Sequence, residues 1–182
     1  FIDPREQEAA HKPTTYVNFY EEAVKASQEF RKEYDSRMNV VKASEMPFER
    51  SPDGLIKHII NEKMNTKEAC LDIYMQFLPP GKASGTHRHL SEEVFYVVEG
   101  KGYDLHWDVK FDCKDTMEFE WETEPKKFEW KAGDFVYIPP YCAHKHFNAD
   151  PGNEARIIVV TSRIIKAMGF DWFEQLENAE GY

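Results

Sequence analysis

The feature that most restricts what this chain can become is the stretch from Gly81 to Gly100, GKASGTHRHLSEEVFYVVEG. It sets His87 and His89 one residue apart and places Glu93 four residues beyond the second histidine. Side chains alternate faces along an extended strand, so these three odd-numbered residues can point the same way. Neutral imidazole and carboxylate together suit a divalent first-row transition metal. His144 lies in a second apolar block, GDFVYIPPYCAHKHFN, and can close the cluster from a neighbouring strand. The expectation is a metal site built on a β-sheet, with His87, His89, Glu93 and His144 as ligands.

The rest of the chain reads as a run of short strands between two helical ends. Residues 1–15 are polar, with two prolines, and are expected to form an arm. Val17, Tyr20, Ala23, Val24 and Phe30 have helical spacing between Tyr16 and Tyr34. Asn39 to Ala43 suits a short strand, Ser51-Pro-Asp-Gly54 signals a turn, and Leu55 to Ile60 suits a second strand. Between Cys70 and Leu78 an apolar set (Leu71, Ile73, Met75, Phe77) alternates with a mixed one (Asp72, Tyr74, Gln76). Val94 to Val98 is apolar on both faces, as in a strand held between two layers. Further strands are expected at Leu105–Phe111, Met117–Trp121, Phe128–Trp130, Phe135–Ile138 and Ile157–Val160, with a hairpin turn over Asp112–Asp115. Ile165, Met168, Trp172 and Leu176 return to helical spacing. This divides the chain into the arm, an N-terminal helix with accessory strands over 16–64, a barrel over 65–162, and a C-terminal helix and tail over 163–182. The fold class is all-β, a small sandwich or barrel with flanking helices.

Composition removes several classes of function. A net charge of −10 argues against a nucleic-acid partner, which would need basic patches. No apolar run approaches the roughly 20 residues of a membrane span, and no signal-peptide core opens the chain. Three cysteines without CxxC spacing disfavour both a disulfide framework and a thiolate metal site, so a cytoplasmic protein is expected.

Gly81, His87, His89, Glu93 and Gly100 match the first conserved motif of the cupin superfamily at every position, and Gly133, Pro139, His144 and Asn148 match the second. Tyr141 stands where the second motif has its second glycine. The chain therefore resembles the cupins. The resemblance implies a double-stranded β-helix, a jelly-roll barrel with three histidines and one glutamate around iron, manganese, nickel, copper or zinc. Within the cupins, THRHLSEEVFYVVEGKG and WKAGDFVYIPPYCAHKHFN are most similar to gentisate and hydroxynaphthoate ring-cleaving dioxygenases. Those enzymes usually contain two cupin domains and lack a glutamate ligand where Glu93 stands.

On this reading the chain holds one metal ion, iron(II) by preference, and acts as a dioxygenase that cleaves a carbon–carbon bond of a small phenolic or 1,3-dicarbonyl substrate. Four protein ligands leave two of six coordination positions open. His146, two residues beyond His144, is the candidate base, or a residue that orients a ligand. Tyr74 and Gln76 are pocket donors if their face is interior, and Tyr141 either projects over the pocket mouth or serves as a turn residue. Arg88 and Lys145 alternate with the ligands and point away, which leaves no obvious inward cation for a substrate carboxylate. The alternatives are a redox-neutral isomerase, lyase or decarboxylase using zinc, manganese or nickel, and a non-catalytic small-molecule-binding cupin. A homo-oligomer, dimer or higher, is expected.

Overall fold

In the computed structural model the described residues are 16–67, 70–170 and 172–182. The expected arm over 1–15 lies outside them. The chain divides after Arg37 into two compact units. The first holds helix α1 (Phe19–Tyr34), which has Glu21 and Glu22 in its first turn and Arg31 and Lys32 in its last, charges that complement the helix dipole.

The second unit is an antiparallel jelly roll of two facing sheets. Strands β1 (Phe48–Ser51), β2 (Gly54–Ile60) and β3 (Leu71–Leu78) begin the first sheet; β4 (Thr86–His89) crosses to the second. They are followed by β5 (Glu93–Glu99), β6 (Lys101–Trp107), β7 (Val109–Cys113), β8 (Met117–Trp121) and β9 (Lys126–Lys131). The chain then runs through β10 (Phe135–Ile138), β11 (Ala143–Asn148), β12 (Ala155–Ser162), a single helical turn α2 (Ile164–Ala167) and β13 (Phe173–Glu177). One sheet has six strands in the order β1-β2-β3-β12-β5-β10; the other has five, β13-β4-β11-β6-β9; β7 and β8 form a separate hairpin. Adjacent pairs within each sheet are antiparallel. Hence β1 and β2 belong to the six-stranded sheet itself.

The core lies between the sheets and is built mainly from the six-stranded one: Leu78, Phe95, Val97, Ile138, Ile157 and Val159, with Trp130 contributed from β9. Two cupin motif positions explain how the loops close around it. Asn148 donates its side-chain N–H groups to the backbone oxygens of Leu78, Pro79 and Asn153, which ties three chain segments together. Tyr141 has φ 61°, the left-handed backbone that the motif's glycine would take freely, and a tyrosine there carries about 1–2 kcal/mol of strain.

Two expected elements differ. Asn39–Ala43 is not a strand. Met38 makes one isolated bridge with Thr66, and a 3-10 turn over Ala43–Glu45 follows, capped where the Glu45 carboxylate accepts the Lys42 N–H. The C-terminal helix is limited to α2. Gly169, at φ 87°, ends it, and Phe173–Glu177 is strand instead, because it pairs with β4 and covers the edge of the five-stranded sheet.

Candidate metal centre

Strand pairing assembles the site. On β11, His144 stands directly opposite His87 of β4 and, on the other side, opposite His106 of β6; His146 stands opposite Asp104. The inner face of the five-stranded sheet therefore carries two polar side chains from each of three strands: His87 and His89, His144 and His146, Asp104 and His106. All six are buried. Glu93 opens β5 in the facing sheet and is also fully buried. Its Oε2 is 3.2 Å from His89 Nε2, and its Oε1 is 3.7 Å from His144 Nε2.

One ligand atom from each of His87, His89, Glu93 and His144 lies within 4.8 Å of all the others. Donors about 2.1 Å from a shared ion stand roughly 3–4 Å apart, so a small contraction would bring these four onto one cation. Their chemistry fits as well. Glu93 Oε1, His144 Nε2 and His146 Nε2 are buried without a hydrogen-bond partner. Leaving such atoms unpaired costs about 1–3 kcal/mol each, a cost that a cation between Glu93 Oε1 and the neutral His144 Nε2 offsets.

Surrounding groups aim the imidazoles. His89 Nδ1 lies 2.8 Å from the Ser91 carbonyl and His144 Nδ1 3.0 Å from that of Cys142, which leaves both Nε2 atoms for the cluster. His87 Nδ1 faces Asp53 Oδ1 at 3.2 Å without an aligned hydrogen bond, and both atoms are buried with no such partner. Asp53 comes from the β1–β2 turn, and Gln76 Nε2 holds it by donating to both its carboxylate and its backbone oxygen. His146 Nδ1 is 3.0 Å from Asp104 Oδ2, and Asp104 also accepts the Trp130 indole N–H at 2.8 Å. His146 Nε2 faces the cluster, 3.6 Å from Glu93 Oε1.

The electrostatics separate these histidines. Burial, reinforced by the neighbouring imidazoles of His87, His146 and His89, holds His144 well below the usual histidine range and so neutral. Burial also disfavours charge on His89, but its hydrogen bond to Glu93 outweighs this and the net shift is upward. For His146 the burial penalty is outweighed by Asp104, which raises the pKa to about 9. Asp104 is correspondingly lowered: burial opposes its charge, and the imidazoles of His146 and His106 overcome it.

A cavity of about 390 Å³ opens onto His87, His89 and Glu93. Trp172 and Phe173 line one wall, and the Phe173 ring stacks on His89 at 6.1 Å with an interplanar angle of 8°. Tyr74 lines the cavity; burial and then the Glu93 charge push its phenol well above the usual range, so it stays a hydrogen-bond donor.

Other residues singled out from the sequence lie elsewhere. Gln76 is fully buried and committed to Asp53, and it does not line the cavity. Tyr141 is also absent from the cavity lining; it packs against Phe119, Trp121 and Trp172, with its hydroxyl 3.4 Å from Glu174. Arg88 lies over the Trp121 ring and pairs with Glu174, and Lys145 pairs with Glu177. The expectation of no inward cation is corrected: Arg163 and Lys166, on and beside α2, line the cavity, with Asp72 3.5 Å from Arg163. Asp53, Asp104 and His106 were not singled out. Asp104 and His106 sit two residues apart, as His87 and His89 do, but pairing Leu105 with Trp107 as the apolar set hid them.

Comparison with known proteins agrees with this architecture. Solved structures similar to the chain include a point mutant of oxalate decarboxylase from Bacillus subtilis, with TM-score 0.55 and 15% identity over 75% of this chain and 31% of that one. A point mutant of salicylate 1,2-dioxygenase from Pseudoaminobacter salicylatoxidans, in complex with gentisate, gives TM-score 0.52 and 14% identity over 92% of this chain and 37% of that one. At such identities the likeness is one of fold, and the fold is the cupin jelly roll. In sequence, auxin-binding protein T85 of Nicotiana tabacum is 26% identical over 93 residues, 51% of this chain and 46% of its own length. The chain spans less than half the length of the curated relatives it matches. Residues 35–179, which contain the whole barrel and all four clustered side chains, match the family described as Auxin binding protein, and to that family this chain belongs.

Proposed function

We propose that this chain holds a divalent transition metal through His87, His89, Glu93 and His144, iron(II) foremost, and uses it to anchor an oxygen-bearing end of a small, ring-containing molecule. The observation that carries this reading is the cavity: it opens directly onto three of the four clustered residues, beneath the aromatic wall of Trp172 and Phe173. Its volume lies within the range of ordinary small-molecule sites. A relative named for binding auxin supports a small-molecule ligand.

When bound, the metal supplies Lewis acidity that favours the ionised form of a ligand oxygen. The chain's own groups do the rest. Tyr74 donates a hydrogen bond to the ligand and Phe173 and Trp172 cover its ring, while Arg163 and Lys166 line the mouth in ion pairs with Asp72 and Glu62. Asp104 fixes His146 and holds its imidazole in the charged form near neutral pH, so its Nε2–H is presented to the cluster as a proton donor.

That last feature favours a second, catalytic reading, because a site that only binds has no need of a buried proton donor beside its ligand. The reaction would be oxygen-dependent carbon–carbon cleavage of a phenolic or 1,3-dicarbonyl compound, with redox-neutral isomerisation or decarboxylation as the rival. Metal quantification, together with ligand titration followed by Trp172 fluorescence, tests the binding reading. A chain that takes up no stoichiometric metal, or a His89→Ala variant that keeps it, sinks the ligand assignment. Oxygen uptake in step with product formation on catechols, hydroquinones and diketones supports the oxidative reading; full activity without oxygen removes it.

A further inference from the structure

One end of the cavity is the cluster; the other end is polar yet carries no net charge. Strand register places both ends on one row of the six-stranded sheet. Thr161 of β12 stands opposite Glu93 of β5 on one side and opposite Asp72 of β3 on the other, and directly paired residues share a face. Glu93 turns inward to the cluster, so Thr161 and Asp72 turn inward as well, and all three line the cavity. Strands spaced about 4.8 Å apart put the Asp72 backbone roughly 10 Å from that of Glu93.

The second end is built around an ion pair. Arg163 Nε is 3.5 Å from Asp72 Oδ1, and the two side chains are only 10% and 28% exposed. The Arg163 N–H donates to the Cys70 carbonyl at 2.6 Å, which fixes the residue beside the start of β3. Lys166, also in the lining, is paired with Glu62 at 3.4 Å. These charges cancel, so this end has little pull on an ion of either sign. Its hydrogen-bonding character remains: a carboxylate accepts, a guanidinium donates, and the Thr161 hydroxyl one strand away does either. An alkyl group placed here strips water from the ion pair and returns nothing, and a carboxylate meets Asp72. A neutral group that both donates and accepts meets neither cost.

We propose that the ligand of this cavity is bipolar. It carries, across its ring and a short arm of about two carbons from the anchored oxygen, an alcohol or primary amide that is read by Thr161, Asp72 and Arg163. This selection rests on the cluster anchoring an oxygen of the ring, as proposed above, and adds a second point of recognition to it.

Calorimetric titration of the iron(II)-loaded full chain in the absence of oxygen tests this with four probes: catechol itself, catechol with a hydroxyethyl arm para to one oxygen, its propyl isostere and its carboxymethyl analogue. The hydroxyethyl compound binds at least about 10-fold more tightly than the propyl compound, although the propyl arm is the more hydrophobic, and at least about 10-fold more tightly than the carboxymethyl compound. Thr161→Val removes the hydroxyl at nearly constant shape and cuts the hydroxyethyl-over-propyl ratio about 5-fold. Asp72→Asn removes the repelling charge and raises the affinity for the carboxymethyl compound, relative to plain catechol, about 10-fold. Metal stoichiometry in each variant reports that the barrel is intact. A wild type that binds the propyl compound as tightly as the hydroxyethyl one overturns the selection and leaves the anchor standing. Failure of the metal-loaded chain to bind plain catechol overturns both. Ratios that pass through Thr161→Val and Asp72→Asn unchanged overturn the assignment to these residues.

Discussion

The two sheets that enclose the barrel have opposite inner faces. The five-stranded sheet presents His87, His89, His144, His146, Asp104 and His106; the six-stranded sheet presents Leu78, Phe95, Val97, Ile138, Ile157 and Val159, with Glu93 as the carboxylate it lends to the cluster. One wall supplies cohesion and the other supplies chemistry. The cluster forms where a single residue of the apolar wall, at the first position of β5, reaches the polar one. The six-stranded wall thus lends the cluster one carboxylate, at a strand end, while Tyr74 and Gln76 on the same inner face serve the cavity and Asp53.

If this division holds, substitutions on the two walls fail in different ways. Leu78→Ala, in the apolar wall, should cost about 2–5 kcal/mol by thermal or urea unfolding while the folded protein keeps stoichiometric metal. His144→Ala, in the polar wall, should do the reverse, weakening metal affinity by at least ~100-fold with much less effect on the stability of the metal-free chain; a Tm loss as large as that of Leu78→Ala would break the comparison. Asp104→Asn sharpens it. The side chain keeps its size but loses the charge that raises His146 to about 9, so the His146 titration of the metal-free chain, followed by NMR, should move to lower pH while the chain still takes up stoichiometric metal. Asp53→Asn, acting on His87 from a turn of the opposite sheet, should lower metal affinity, measured by competition with a chelator, about 10-fold. The smallest effect is expected outside both walls. Tyr141→Gly relieves the left-handed strain but loses the ring contacts with Phe119, Trp121 and Trp172, for a net loss of about 1 kcal/mol in unfolding free energy.

The clustering of His87, His89, Glu93 and His144 was legible in the sequence because parity along a strand and fixed spacing between glycines are local signals. The turn at Ser51–Gly54 was legible for the same reason, but its second role was not. Asp53 meets His87 only through the pairing of distant strands, and nothing near Asp53 records that. Asp104 and His106 were hidden by the assumption that the apolar parity of a strand faces inward. In β6 the polar parity does, because its neighbour β11 already carries histidines on that face. The same ambiguity left Tyr74 and Gln76 open, and both turn out to share the inner face, though only Tyr74 reaches the cavity. The C-terminal segment has helical spacing in sequence, yet strand wins there, since an unpaired edge beside β4 would leave backbone groups of the site-bearing strand exposed.

The pairing of β13 with β4 also sets an order of events during synthesis. Arg88 and Glu174, which join the two strands, are 86 residues apart, and His144 joins the cluster from β11, between them in the chain. A nascent chain that has just emitted His87, His89 and Glu93 holds most of the donors and little of the wall that shapes them. The aromatic wall over the cluster is therefore complete only once Phe173 has been made, 29 residues after the last of the clustered histidines.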